Sequence, residues 1–313
     1  MSNFYENKVF LAPMAGITDL AFRTLCKEYG ADLVVSEMIS SRGLHYKDKK
    51  TAELLKTNDT ESPLIVQLFG NEPDIMAEAA KILEDSGVKY LDINMGCPAP
   101  KIVKNGDGCS LMRDEILAGK ITENVVKAVS VPVSVKFRAG WDEEHINAVS
   151  FAKTIENSGA SAVTVHGRTK EQFYSGKADY EIIKSVRETV KISVIANGDV
   201  TDGISATEIL QKTGCNSLMV GRGALGCPFV FRDIKDCFEG KTTAPISVSE
   251  KHSALLRHID LKEQYKPERL GVPEMRKHFA WYLKGVKNSA KLKSVAFSCK
   301  TYSEMRNLAK NII

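Results

Sequence analysis

Tyr90-Leu91-Asp92-Ile93-Asn94-Met95-Gly96-Cys97-Pro98 is the stretch on which the fold turns. Leu91 and Ile93 alternate with Asp92 and Asn94, the period of an extended strand, and Gly96 and Pro98 then break the extension. Asn94 and Cys97 are left displayed at the strand's C-terminal end. A thiol on a rigid turn beside an amide can deliver one proton to a defined point. The competing reading is a buried structural cysteine, inert as most free thiols are.

The pattern recurs. Eight short apolar runs of strand character occupy residues 9–12, 33–36, 64–68, 90–94, 133–137, 162–166, 192–196 and 217–220. Between them lie segments of helical composition, such as 19–29, 74–86, 148–158, 180–190 and 202–213. Such alternation predicts parallel strands joined by right-handed crossovers. Eight units in about 230 residues make an α/β fold of the (β/α)8 TIM-barrel type. An open doubly wound sheet would favour Gly-x-Gly-x-x-Gly after the first strand, and none is there.

A barrel carries its functional groups at the C-terminal ends of its strands. Those ends read Pro13-Met14-Ala15-Gly16, Glu37-Met38, Gln67, Asn94 and Cys97, Lys136 and Arg138, His166 and Arg168, Asn197-Gly198-Asp199, and Gly221-Arg222-Gly223. Every tip is polar or contains glycine. The insert 96–121 after the fourth strand holds Lys101, Lys104, Gly106, Gly108 and Cys109 before any helical pattern resumes, which suggests a lid or binding loop.

Beyond Gly240 the pattern changes. A polar link, 241–249, leads to helical stretches 249–265, 273–285, 290–299 and 301–313 with no strand between them, an all-α appendage of about 65 residues. Residues 241–313 hold 15 Lys/Arg against 6 Asp/Glu, a charge of +9, whereas 1–240 hold 28 against 33, a charge of −5. Either a polyanion-binding appendage or a solvated lysine-rich face accounts for this. The natural division is thus 1–240 and 241–313.

Composition narrows the class. Hydrophobic residues at 43% and charged residues at 26% are ordinary for a soluble globular chain. No apolar run approaches the roughly 18 residues that span a bilayer, and Met1–Lys8 lacks a signal-peptide layout. The seven cysteines form no Cys-x-x-Cys pair, so no zinc or iron–sulfur module is expected, and reduced thiols in a cytoplasm fit best.

The loops after the seventh and eighth strands, Asn197-Gly198-Asp199 and Gly221-Arg222-Gly223, suit a phosphate held by backbone N–H groups; two ordinary tight turns would also want glycine. Lys136, with Gln67 opposite, fits a planar amide-bearing ring such as a flavin, whose anionic reduced form a lysine would neutralise. A solvated strand-end lysine is the plainer alternative. His166 is placed to touch that ring or a substrate, or simply to hydrogen-bond within the fold. An unperturbed thiol, with a pKa of about 8.5, is mostly protonated at neutral pH, so Cys97 can act as a general acid.

Taken together, 11–19 (Leu-Ala-Pro-Met-Ala-Gly-Ile-Thr-Asp), 92–98 (Asp-Ile-Asn-Met-Gly-Cys-Pro), 135–141 (Val-Lys-Phe-Arg-Ala-Gly-Trp), 166–169 (His-Gly-Arg-Thr), 196–199 (Ala-Asn-Gly-Asp) and 275–285 (Met-Arg-Lys-His-Phe-Ala-Trp-Tyr-Leu-Lys-Gly) resemble the tRNA-dihydrouridine synthases, most closely the bacterial B-type branch. The resemblance implies a barrel with FMN across its mouth and a helical tRNA-binding domain behind it. It implies that Pro13, Met14, Ala15, Gln67, Lys136, Asn197, Gly198, Asp199, Gly221 and Arg222 contact FMN, with His166 beside them. Cys97 matches the proton donor, and Asn94, Arg138 and Arg168 match the pocket for the target uracil. NADPH, or NADH, would reduce the flavin; a hydride would then pass to C6 of a D-loop uridine and the Cys97 proton to C5. Phe137 departs from the usual aliphatic residue, and 107–112 differs in detail from common versions of the lid loop.

The resemblance implies tRNA as the partner. The cysteine usage and hydropathy above suggest a cytoplasmic protein with no metal and no membrane, and a monomer is the default because the tail already supplies a partner surface. Two alternatives remain in view: a flavin oxidoreductase acting on a free pyrimidine, which would need no basic tail, and a catalytically silent RNA-binding protein.

Overall fold

Strand alternation sets which side chains face inward. The computed structural model describes residues 4–48, 51, 53–241 and 245–311. Eight parallel strands form a ring: β1 (Val9–Leu11), β2 (Leu33–Val35), β4 (Leu64–Phe69), β5 (Leu91–Met95), β6 (Val133–Arg138), β7 (Ala162–His166), β8 (Ser193–Asn197) and β9 (Ser217–Val220). Pairing of β1 with β9 and of β2 with β4 closes it. The (β/α)8 expectation holds, with one addition: a two-residue strand, β3 (Ile39–Ser40), pairs with the end of β4 and, among the described residues, with no other strand.

Phe10, Ala12, Leu33, Val35, Ile65, Ala162, Ile195 and Met219 fill the barrel's interior. Their alternate neighbours, among them Leu11, Val34, Val66, Ile93, Val135, Val165 and Val220, pack outward into the main core against the helices. Phe4 stacks on Tyr90 at 3.7 Å between ring centroids, at the N-terminal end of the strands. The same parity places Gln67, Asp92, Asn94, Lys136, His166 and Asn197 on one inward-facing set, with Asn94 beside Lys136 and His166 beside Asn197 in register.

The barrel's helices are α1 (Leu20–Glu28), α2 (Ser41–His45), α3 (Pro73–Asp85), α4 (Pro100–Lys104), α5 (Glu115–Ala128), α6 (Ala148–Asn157), α7 (Tyr180–Thr189), α8 (Gly203–Thr213) and α9 (Val230–Phe238). The insert after β5 is more folded than its composition suggests. It contains α4 and a 3-10 turn, Gly108–Arg113, and the following helix already starts at Glu115, because Asp114 caps it by accepting from the Leu117 N–H at 2.9 Å.

Four helices follow: α10 (Val248–Tyr265), α11 (Glu268–Tyr282), α12 (Ser289–Ser298) and α13 (Tyr302–Lys310). Ile312 and Ile313, within the expected last helix, lie outside the described residues, as do 242–244 of the expected link. The helix α11 begins five residues before the expected start at Pro273 and carries that proline inside it. Tertiary contacts hold the preceding turn: the Glu268 carboxylate accepts from the Tyr302 N–H at 3.0 Å, and Glu274 pairs with Lys262 at 2.6 Å and Lys266 at 2.7 Å. Leu255, Ile259, Val272, Met275, Phe279, Tyr302 and Met305 form a second core that takes in Phe229 from the barrel side.

The two cores meet through buried charge. Asp19 caps α1 and accepts from Lys262 of α10, and both side chains are buried. Burial works to raise the Asp19 carboxyl, but Lys262, His278 and Lys266 overcome it and hold the group well below the usual carboxylate range.

Candidate active site

A cavity of about 770 Å³ opens at the C-terminal ends of the strands. Its wall brings together Pro13, Met14, Ala15, Gln67, Asn94, Cys97, Lys136, Arg138, His166, Asn197, Gly198, Asp199, Gly221 and Arg222. The strand-tip residues Gly16 and Glu37 are not on it, and neither is Arg168. That guanidinium is buried behind the wall, where it donates to the Ser175 and Gly176 carbonyls at 2.9 and 2.8 Å and to the Asp199 carboxylate at 2.7 and 2.9 Å. Arg168 therefore shapes the loop carrying Asp199, which sits in the left-handed region at φ 54°.

The turn at Cys97 is built by Asn94. Its Oδ1 accepts from the Gly96 and Cys97 N–H groups at 3.2 and 3.0 Å, while its Nδ2 donates to Gln67 Oε1 at 2.8 Å. Gln67 in turn donates to Asp92 Oδ2 at 2.7 Å, and Ser134 Oγ donates to Asp92 Oδ1 at 2.6 Å. A continuous polar chain thus runs up the barrel interior to the thiol's own turn. Burial, opposed by Ser134, Gln67 and Lys136, pushes Asp92 up to about 6. The Gly96 carbonyl accepts from Arg138 Nε at 2.9 Å and from the Cys109 thiol at 3.0 Å. Arg138 also donates to the Thr169 and Phe173 carbonyls, both at 2.9 Å. The Cys97 thiol is half-buried on the cavity wall, and burial pushes it above its ordinary value despite Arg138 and the Ala99 N–H.

Lys136 donates to Asn197 Oδ1 at 2.8 Å, which leaves ammonium donors to spare. Burial, helped by the neighbouring Arg138 cation, pushes it down to about 8. His166 is held well below its ordinary value by burial and by Lys136, Arg138, Arg168 and Arg222 around it; its Nδ1 has no partner among the described residues. A neutral imidazole with a free nitrogen and a ring of cations suits an anionic, hydrogen-bonding ligand. Among the described residues no group of three or more His, Cys, Asp or Glu side chains could hold a metal ion.

Strand-end reading missed a second set of wall residues. Phe173 and Tyr174 come from the loop after β7, and the Arg222 guanidinium lies over the Tyr174 ring at 4.7 Å. Lys251 of α10, Trp281 and Tyr282 of α11, and Lys284 just after α11 close the cavity from the helical side. The basic-aromatic clustering around Trp281 and Lys284 was the available signal, but it gave no direction.

These features define a parallel (β/α)8 protein with a cation-lined ligand cavity that has the Cys97 and Cys227 thiols on its wall. Residues 10–313 match the dihydrouridine synthase family, and the chain belongs to it. It is 47% identical over 290 residues to a probable tRNA-dihydrouridine synthase of Rickettsia bellii, covering 92% of this chain and 89% of that one. It is 42% identical over 283 residues to tRNA-dihydrouridine synthase B of Shewanella oneidensis, covering 89% and 87% respectively. In fold it is similar to a histamine dehydrogenase from Rhizobium, with a TM-score of 0.56 at 11% identity over 81% of this chain and 49% of that one. A 2-naphthoyl-CoA reductase gives a TM-score of 0.56 at 12% identity, over 75% and 50%. No helix among the described residues is long and apolar enough to cross a membrane.

Proposed function

We propose that the protein is a tRNA-dihydrouridine synthase that reduces the 5,6 double bond of uridine in the tRNA D-loop with FMN and a nicotinamide donor, NADPH or NADH. The reading rests above all on the convergence of the Cys97 turn, Lys136, His166 and the two glycine loops on one cavity. The cavity suits FMN. Gly198, Asp199, Gly221 and Arg222 line the side that would take the phosphate, and the unpartnered His166 Nδ1 offers a further polar contact. Pro13, Met14 and Ala15 offer a largely apolar wall to a flat ring, with Lys136 and Gln67 supplying its polar contacts. When bound, the flavin supplies the hydride that goes to C6 of the uracil.

The protein's own part is the proton. Cys97, kept as a thiol by burial, donates to C5, and Asn94 and Arg138 fix the turn from which it does so. Asn94 and Arg138 also line the uracil's side of the cavity. A uridine must leave its stack to enter such a site. In this reading residues 1–240 are the catalytic unit and 241–313 grip the tRNA, with a charge of +9 facing the phosphates. The enzyme works in the cytoplasm as a monomer without a metal.

The test is spectroscopic. Purified protein should be yellow, bleach with NADPH under anaerobic conditions, and regain colour when tRNA lacking dihydrouridine is added. A colourless protein that cannot be reconstituted with FMN, yet binds tRNA, would make it a binding protein instead. Recovery of colour with free uracil but not with tRNA would make the substrate a free pyrimidine.

A further inference from the structure

The tail motif 275–285 lies far in sequence from every strand tip, yet α11 meets two of the loops that wall the cavity. At its middle, the Lys277 ammonium donates to the Gly16 carbonyl in the loop after β1. The Gly16 N–H donates in turn to Glu37 Oε1 in the loop after β2. Gly16 is therefore held by a carboxylate at its N–H and an ammonium at its carbonyl. It adopts φ 69°, a conformation open to glycine at little cost. The neighbours on either side, Pro13, Met14, Ala15 and Ile17, form one wall of the cavity.

At its C-terminal end, α11 meets the loop after β9. Gly226, at φ 67°, lies so close that a Cβ there would sit 2.6 Å from the Tyr282 nitrogen and 2.7 Å from the Trp281 carbonyl oxygen. The helix backbone thus rests on the loop that follows Arg222. One helix of the RNA-facing segment spans the two loops that bracket the proposed cofactor, the first and the last of the barrel. Its placement is fixed from behind by Glu274, which pairs with Lys262 and Lys266, both of which also reach Asp19 at the end of the same first loop.

We propose that Lys277 is a positioning residue for the flavin: its grip on Gly16 sets the Pro13–Ile17 wall against which the cofactor packs. This rests on reading the cavity as a flavin site. A charge-assisted hydrogen bond to a loop carbonyl fixes a conformation that the ligand would otherwise have to order on binding. Lys277 then serves cofactor retention, although it lies in the segment that otherwise serves RNA.

The experiment measures FMN affinity of the apo-protein by quenching of flavin fluorescence, with no RNA present. Lys277→Met keeps the aliphatic stem and is expected to weaken FMN binding by about tenfold or more, whereas Lys277→Arg, which retains a donor of similar reach, stays within about twofold of wild type. Lys287→Met, at an exposed position of the same segment, should leave FMN affinity unchanged. Thermal melting checks that each protein is folded, and Lys277→Gln, too short to reach Gly16, is the second variant should Lys277→Met fail to fold. If wild type binds FMN and Lys277→Met binds it equally well, the proposal is wrong while the functional reading stands. If Lys277→Met loses affinity for tRNA and not for FMN, Lys277 is an RNA contact and the proposal also fails. Failure of wild type to bind FMN would instead bring down the functional reading itself.

Discussion

At the scale of single residues, the proposed reaction takes its proton from the Cys97 thiol, whose protonation state is set by where it sits. Burial is the larger influence on Cys97 and raises it; the Arg138 cation and the Ala99 N–H work the other way without overcoming it. A general acid must carry its proton, so a raised thiol stays competent through neutral pH and loses function only on the alkaline side. With tRNA and nicotinamide donor saturating, the rate of dihydrouridine formation should lose its Cys97-dependent part only on the alkaline side of an ordinary thiol's titration, about 8.5. Cys97→Ala should cost about 10²- to 10⁴-fold in turnover, the usual contribution of a positioned acid. Lys136, pushed down to about 8, imposes its own limb at lower pH than the thiol's. The two separate cleanly, because a Lys136 limb survives in Cys97→Ala and a Cys97 limb does not. Turnover of Cys97→Ala within twofold of wild type across the whole profile would remove Cys97 from the reaction.

At the scale of elements, what the sequence revealed follows from strand parity. Period-two alternation runs unbroken to the strand ends, so Gln67, Asn94, Lys136, His166 and Asn197 were legible as one inward set. Parity stops where the strand stops. Arg168, two residues past the end of β7, is carried by the loop to Asp199 and away from the cavity, a turn that no local pattern announces. The strand β3 has two residues and so no period to read. The wall from α10 and α11 depends on how a distant helix packs, and its decisive feature is a missing side chain at Gly226. Gly226→Ala should force α11 off the loop after β9. Overpacking against a helix backbone, together with a left-handed φ, should cost about 2–4 kcal/mol of stability. Chemical denaturation of the apo-protein measures it, and FMN affinity should fall with it. A stable Gly226→Ala protein with unaltered FMN binding would mean that α11 and the loop are only loosely joined.

At the scale of the whole molecule, charge is unevenly divided along the chain. The −5 of residues 1–240 would repel a polynucleotide, and the +9 of 241–313 attracts one. The net +4 conceals this asymmetry, which under the proposed function would turn the RNA backbone toward the helices rather than the barrel's flanks. Lys284, Lys287 and Lys291 are exposed at the end of α11 and the start of α12. Lys284 also lines the cavity, so the basic surface runs up to the mouth itself. Affinity that comes from phosphate contacts falls with salt as bound counterions return. About five such contacts would weaken tRNA binding by about 100- to 500-fold between 50 and 200 mM salt. The double variant Lys287→Glu, Lys291→Glu should flatten the plot of log affinity against log salt by about two contacts' worth. It should raise KM for tRNA, and leave turnover at saturation and FMN affinity unchanged, since neither lysine lines the cavity. Titration of fluorescently labelled tRNA at several salt concentrations gives the slope directly. A slope near zero in wild type would mean that the tail's charge is a solvated surface and that the RNA is held by other means. An unchanged slope in the double variant would move the phosphate contacts to other lysines of the segment.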